Sequence, residues 1–110
     1  AKVKYTMNTL EGKVVQDADK LDALGTIGIA RAFSYGVYFN VPMHLPNIKP
    51  TLHASFQEYK KNSQSTINHF YEKLLLLKGR MHTKTAKQIA INRHSFMQSF
   101  LKQFYKEWNG

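Results

Sequence analysis

Asp17, Asp19 and Asp22 are the only aspartates in the chain, and they fall in one short stretch. Carboxylates at this spacing can hold a divalent cation against a phosphoryl group. They can equally pair with surplus lysines and arginines, or cap a neighbouring helix. With Val14 to Leu24 on a helix of about 100° per residue, Val14, Ala18 and Leu21 form one apolar face, flanked by Val15 and Leu24. That arrangement predicts Asp22 between Val14 and Val15, inside the apolar arc, with Asp19 beside it at the rim. Asp17 is expected on the opposite flank, between Leu21 and Leu24. Asp19 and Asp22 stand three residues apart, so their carboxylates can approach each other. A carboxylate turned into a core costs on the order of several kcal/mol unless a cation or donors receive it.

Other reactive groups are sparse. The 110 residues contain no cysteine, which excludes disulfides, thiolate nucleophiles and zinc-thiolate sites and fits a reducing, cytoplasmic setting. Histidines 44, 53, 69, 82 and 94 form no metal-ligand spacing of the His-Glu-x-x-His kind. His69 reads as a structural histidine, whereas His44 and His53 lie in a proline-containing stretch from which they could reach a substrate. Lys20, next to Asp19, and Arg31, one short helix downstream, are candidate phosphate contacts, with ion pairs to Asp17 or Asp22 as the alternative. Tyr35 is a candidate lining residue of the same cleft.

Sixteen lysines and arginines oppose seven acids, for a net charge of +9. Residues 1–22 balance, so the whole excess lies in 23–110. Charge of that sign favours phosphate-bearing partners, but the bases are scattered and form no run or one-sided stripe. No apolar run approaches the roughly 20 residues needed to span a bilayer.

The elements that must position these groups are helical. Asn8 or Thr9 caps a first helix running to about Leu24, where Gly25 offers a stop. A second helix is expected from Thr26 to Tyr35, with Gly28, Ala30 and Ala32 permitting close packing and Gly36 ending it. Pro42, Pro46 and Pro50 then exclude a long helix, so residues 37–64 read as an ordered surface loop, one that covers a cleft. Ser65 caps a helix with the apolar face Ile67, Phe70, Tyr71, Leu74 and Leu75, ending near Gly79. Thr83 or Thr85 opens the last helix, whose stripe of Ala86, Ile89, Ala90, Phe96, Met97, Phe100, Leu101, Phe104 and Trp108 has the clearest helical period. The expected fold is all-α, a bundle of four to five helices with one long proline-containing loop, spanning 1–110 as a single domain.

The stretch Val15-Gln16-Asp17-Ala18-Asp19-Lys20-Leu21-Asp22-Ala23-Leu24-Gly25, followed by Ile27-Gly28-Ile29-Ala30-Arg31-Ala32-Phe33 and Tyr35-Gly36, resembles a bacterial branch of the HD-domain metal-dependent phosphohydrolases. The stretch from Ile67 to Leu74 and the ending Phe100 to Gly110 look similar to the same branch. The resemblance implies a helical domain in which a His, an adjacent His-Asp pair and a distant Asp bind a divalent metal. Only the distant Asp carries over, as Asp19 in Ala18-Asp19-Lys20-Leu21. No histidine here is followed by aspartate, and in the family the three other ligands precede the aspartate helix. The chain therefore reads as the C-terminal part of an HD-type domain.

Two functions follow as expectations. The first is phosphohydrolysis of a nucleotide or related phosphoester, with the chain inactive alone and compatible with a homodimer. A divalent ion held by imidazoles and carboxylates lowers the pKa of bound water and offsets phosphoryl charge, but one carboxylate does not hold such an ion tightly. The second is a basic helical module that binds nucleic acid or another partner without catalysis, which the scattered bases favour less.

Overall fold

The computed structural model describes residues 9–50 and 64–110. Its regular elements are α1 (Leu10–Leu21), α2 (Gly25–Tyr38), α3 (Thr66–Glu72), a 3₁₀ helix (Leu74–Arg80) and α4 (Lys84–Asn109). No strand occurs among the described residues, so the fold is all-α. No helix among them is long and apolar enough to cross a membrane.

Three hydroxyl caps set the helix starts. Thr9 Oγ1 accepts from the Gly12 amide at 3.0 Å, Ser65 Oγ from Asn68 at 3.1 Å and Thr83 Oγ1 from Ala86 at 3.2 Å. Each satisfies an amide that has no partner inside its helix. Gly25 marks the corner between α1 and α2, at φ +79°, a conformation that costs most side chains dearly.

Gly36 does not end α2. The helix continues to Tyr38 and closes in a Schellman turn: Asn40 adopts φ 59°, its amide donates to the Val37 carbonyl, and the Val41 amide donates to the Gly36 carbonyl at 2.7 Å. Gly36 is instead a point of close approach, because a Cβ there would lie 2.6 Å from Thr66 Oγ1 of α3. Gly28 plays the same part at the other end of α2, where a Cβ would collide with the Ala23 backbone.

The described part of the proline-containing loop, up to Pro50, is tied to the start of α3. The carbonyls of Pro42 and Met43 accept from the amides of Thr66 and Ile67, at 3.0 and 2.9 Å, and Asn68 Nδ2 donates to the Ile48 carbonyl. His44 does not face a cleft; its ring packs edge-on against Phe104, Tyr105 and Trp108 near the end of α4. His53 lies outside the described residues.

The core joins Leu24, Ile29, Ile67, Phe70, Leu74, Leu77, Met81, Ala86, Ala90, Met97 and Leu101. Phe33 fits among Phe70, Phe100 and Phe104 with ring centroids about 6 Å apart, the edge and offset geometries that aromatic quadrupoles favour. α3 stops at Glu72, because Lys73 leaves helical geometry at φ −139°, and the Leu74–Leu77 run continues as 3₁₀ helix. Along α4, Ala86, Ala90, Met97 and Leu101 are buried as the stripe predicts, whereas Ile89, Phe96 and Trp108 are exposed. The apolar period is wider than the strip of α4 that its neighbours cover.

Gly28→Ala places a methyl against the Ala23 carbonyl and is expected to lower the unfolding free energy by about 1–3 kcal/mol. Urea denaturation followed by circular dichroism measures it, and an unchanged midpoint would mean that the α1–α2 corner yields without cost.

Candidate functional site

The structure turns α1 over relative to the expected face. Val14, Val15 and Ala18 are exposed, Leu21 is half-buried, and Asp22 lies in solvent and not in the apolar arc. The buried acid is Asp17, 2% exposed. Its Oδ1 accepts from the His82 amide and its Oδ2 from the Thr83 amide, both at 2.8 Å. These amides stand at the turn into α4, where the backbone donors lack helical acceptors and the helix dipole favours negative charge. Of the two uses open to the aspartates, Asp17 takes the capping one.

The rest of α1's inner side continues this polar clasp. Gln16 Oε1 meets His82 Nε2 at 2.8 Å, Lys20 Nζ donates to the Arg80 carbonyl at 2.8 Å, and Arg93 of α4 reaches back to the Leu21 carbonyl at 2.8 Å. Residues 16, 17, 20 and 21 form one helical face, so docking by hydrogen bonds decides which side of α1 turns inward. Val14, Val15 and Ala18, on the apolar side, stay exposed.

Asp19 lies on that outer face, exposed and without a hydrogen bond or ion pair to the described residues. Asp22 shares the exposure. Lys20, the candidate phosphate contact beside Asp19, has its ammonium on the Arg80 carbonyl. Arg31 is exposed on the outer side of α2, in a shallow groove with Ile27, Ala30, Ser34, Tyr35, Tyr38 and Phe39. The structure thus places Tyr35 beside Arg31.

No group of three or more His, Asp or Glu side chains among the described residues could hold a metal ion. Asp19 is a single carboxylate with solvent around it. The described residues do not by themselves fit a divalent ion, which needs several nitrogen and oxygen donors in fixed geometry.

Three further titratable groups are structural. Burial first, then the neighbouring Lys73 charge, pushes His69 down to about 4, against a smaller upward pull from Glu72. Burial and then Lys78 lower His94. Burial, then the hydrogen bond that Tyr105 donates to the Tyr71 hydroxyl, raises Tyr105. For Asp17, burial opposes ionisation, but the His82 and Thr83 amides with the Thr83 hydroxyl outweigh it and hold the carboxyl below its ordinary value.

Asp17→Asn keeps the shape but aims an amide NH₂ at a backbone N–H. The expected cost is about 1–3 kcal/mol, read from urea denaturation at pH 7. His69 takes up its proton near 6.5 in the unfolded chain but only near 4 when folded. The unfolded state therefore binds more protons across that window, and stability falls as the pH drops through it. Asp17, protonated more readily unfolded, removes a further share below the ordinary carboxylate range. Denaturation midpoints from pH 7 to pH 4 should decline in wild type and decline less in His69→Gln.

No protein-family model matches the chain. The chain is 40% identical to YpgQ of Bacillus subtilis, itself uncharacterised, over 93% of this chain and 42% of YpgQ. The structure of YpgQ in complex with ADP covers 90% of this chain and 44% of its own, at 40% identity and TM-score 0.67. A crystal structure from Lactobacillus plantarum matches 96% of this chain and 52% of its own, at 45% identity and TM-score 0.85. A Bacillus thuringiensis structure described as an HD-superfamily hydrolase matches 93% of this chain and 48% of its own, at 50% identity and TM-score 0.77. The chain thus spans about half the length of the relatives it matches.

Proposed function

We propose that these residues form the aspartate-bearing helical half of an HD-type phosphohydrolase acting on a nucleotide or a related phosphoester. The observation that carries the reading is the 50% identity to the Bacillus thuringiensis HD-superfamily hydrolase over 93% of this chain. The ADP bound by YpgQ supports a nucleotide as the substrate class.

In this reading Asp19 contributes one carboxylate to a divalent-metal site whose other ligands come from outside the described residues. Its exposure on the outer face of α1 leaves the carboxylate open to such a partner, whereas Asp17 is committed to the turn before α4. Arg31, exposed on α2, is the stronger of the two candidate phosphate contacts, because Lys20 spends its charge on a backbone carbonyl. No catalytic step is assigned to the 110 residues alone.

The purified 110-residue chain is expected to release no phosphate from ADP or other nucleoside phosphates, with Mg²⁺ or Mn²⁺ present. Metal-dependent activity of this chain, abolished by Asp19→Ala, would overturn the inactive-alone part of the reading. A single polypeptide joining the chain to the unmatched half of YpgQ is expected to hydrolyse nucleoside phosphates. Asp19→Ala there should lower kcat at least about 100-fold with an unchanged circular dichroism spectrum. Arg31→Ala should act mainly through KM, and activity indifferent to Asp19 would remove the phosphohydrolase assignment.

A further inference from the structure

α2 is apolar on both sides, and only one side is covered. Gly25, Gly28, Ile29 and Gly36 are buried, with Ala32 and Phe33 packed against the core beside them. The opposite stripe consists of Ile27, Arg31, Tyr35 and Tyr38, at successive helical turns. Ile27 is 67%, Tyr35 66% and Tyr38 81% exposed. A helix apolar all round belongs in the interior of a larger body, and a contiguous exposed patch of this kind marks an interaction surface.

We propose that this stripe is the seat of a further helical segment, the counterpart of the half of the longer relatives that lies outside the match. Two observations favour that occupant. The Lactobacillus plantarum structure superposes on 96% of this chain at TM-score 0.85, yet the match accounts for only 52% of its length, so about half of that protein lies outside the part that shares this fold. The outer face of α1, with Leu10, Val14 and Val15, is bare as well, so both N-terminal helices present uncovered apolar sides.

The chemistry of the stripe describes the segment it takes. Tyr35 packs on Phe39 with ring centroids 4.5 Å apart, and Tyr38 on Phe39 at 4.8 Å. With Phe39 packed against both tyrosines, the three rings form one exposed ledge at the end of α2, a surface for aliphatic side chains spaced three and four residues apart. Arg31, the candidate phosphate contact, keeps that role, and the seat is carried by Ile27, Tyr35 and Tyr38. This inference does not depend on catalysis, and its test reads association, not turnover.

Mixed with the unmatched half of YpgQ, the 110-residue chain is expected to form a 1:1 complex in size-exclusion chromatography with light scattering. Ile27→Asp or Tyr35→Asp should weaken it at least tenfold, while Ile91→Asp, at an exposed position of α4, leaves it unchanged. Hydroxyl-radical footprinting gives a second measurement on the joined polypeptide, where Tyr35 and Tyr38 should be labelled at least fivefold more slowly than in the isolated chain. Equal labelling in the two forms overturns the proposal. So does a concentration-dependent dimer of the chain that Tyr35→Asp abolishes, since a second copy would then be the occupant.

Discussion

The placement of α1 depends on one buried carboxylate. Asp17 gives both oxygens to the amides of His82 and Thr83, joining α1 to the turn into α4 across more than sixty residues of chain. Charge-assisted hydrogen bonds of this kind are stronger than neutral ones, and they exact strict geometry. α1 must present Asp17 inward, and Gln16, Lys20 and Leu21 follow because they share its face. The direction of Val14, Val15, Ala18 and Asp19 is then settled by elimination. A site for solvent or partner chemistry on α1 is a by-product of how the helix is fastened.

Much of the helical framework was legible in the sequence. Ser65 and Thr83 are caps as their positions suggest, and the Ala86–Ala90–Met97–Leu101 stripe faces the core. What periodicity did not reveal is which side of an amphipathic helix meets a neighbour. For α1 the apolar side was the natural choice, yet the neighbour within reach was a turn of unsatisfied amides, and it drew the polar side. The same limit applies to Gly36. As a residue it signals a stop, but the stop was made by Asn40 in the left-handed region while Gly36 served close packing. A three-dimensional neighbour had outbid a local propensity in each case.

The three aspartates of the cluster meet three different surroundings. Asp17 is structural, Asp19 has no hydrogen bond or ion pair among the described residues, and Asp22 is exposed. Spacing alone placed Asp22 in the apolar arc, because it assumed that the apolar arc is the buried one. The signal that would have separated the three is the pair of bare amides at 82 and 83 just ahead of a capped helix, which calls for a carboxylate from elsewhere. The role of Asp17 is read from its contacts alone.

The fastening of α1 has a thermodynamic corollary. Apolar exposure dominates the heat-capacity change of unfolding, and the buried residues of α1 are Gly12 and Asp17. Release of α1 from the remaining helices would thus leave little heat-capacity signature, while stripping protection from the amides of His82 and Thr83. Hydrogen exchange there would follow a local opening that a melting curve does not register, and α1 would behave as its own cooperative unit beside a core welded by aromatic rings.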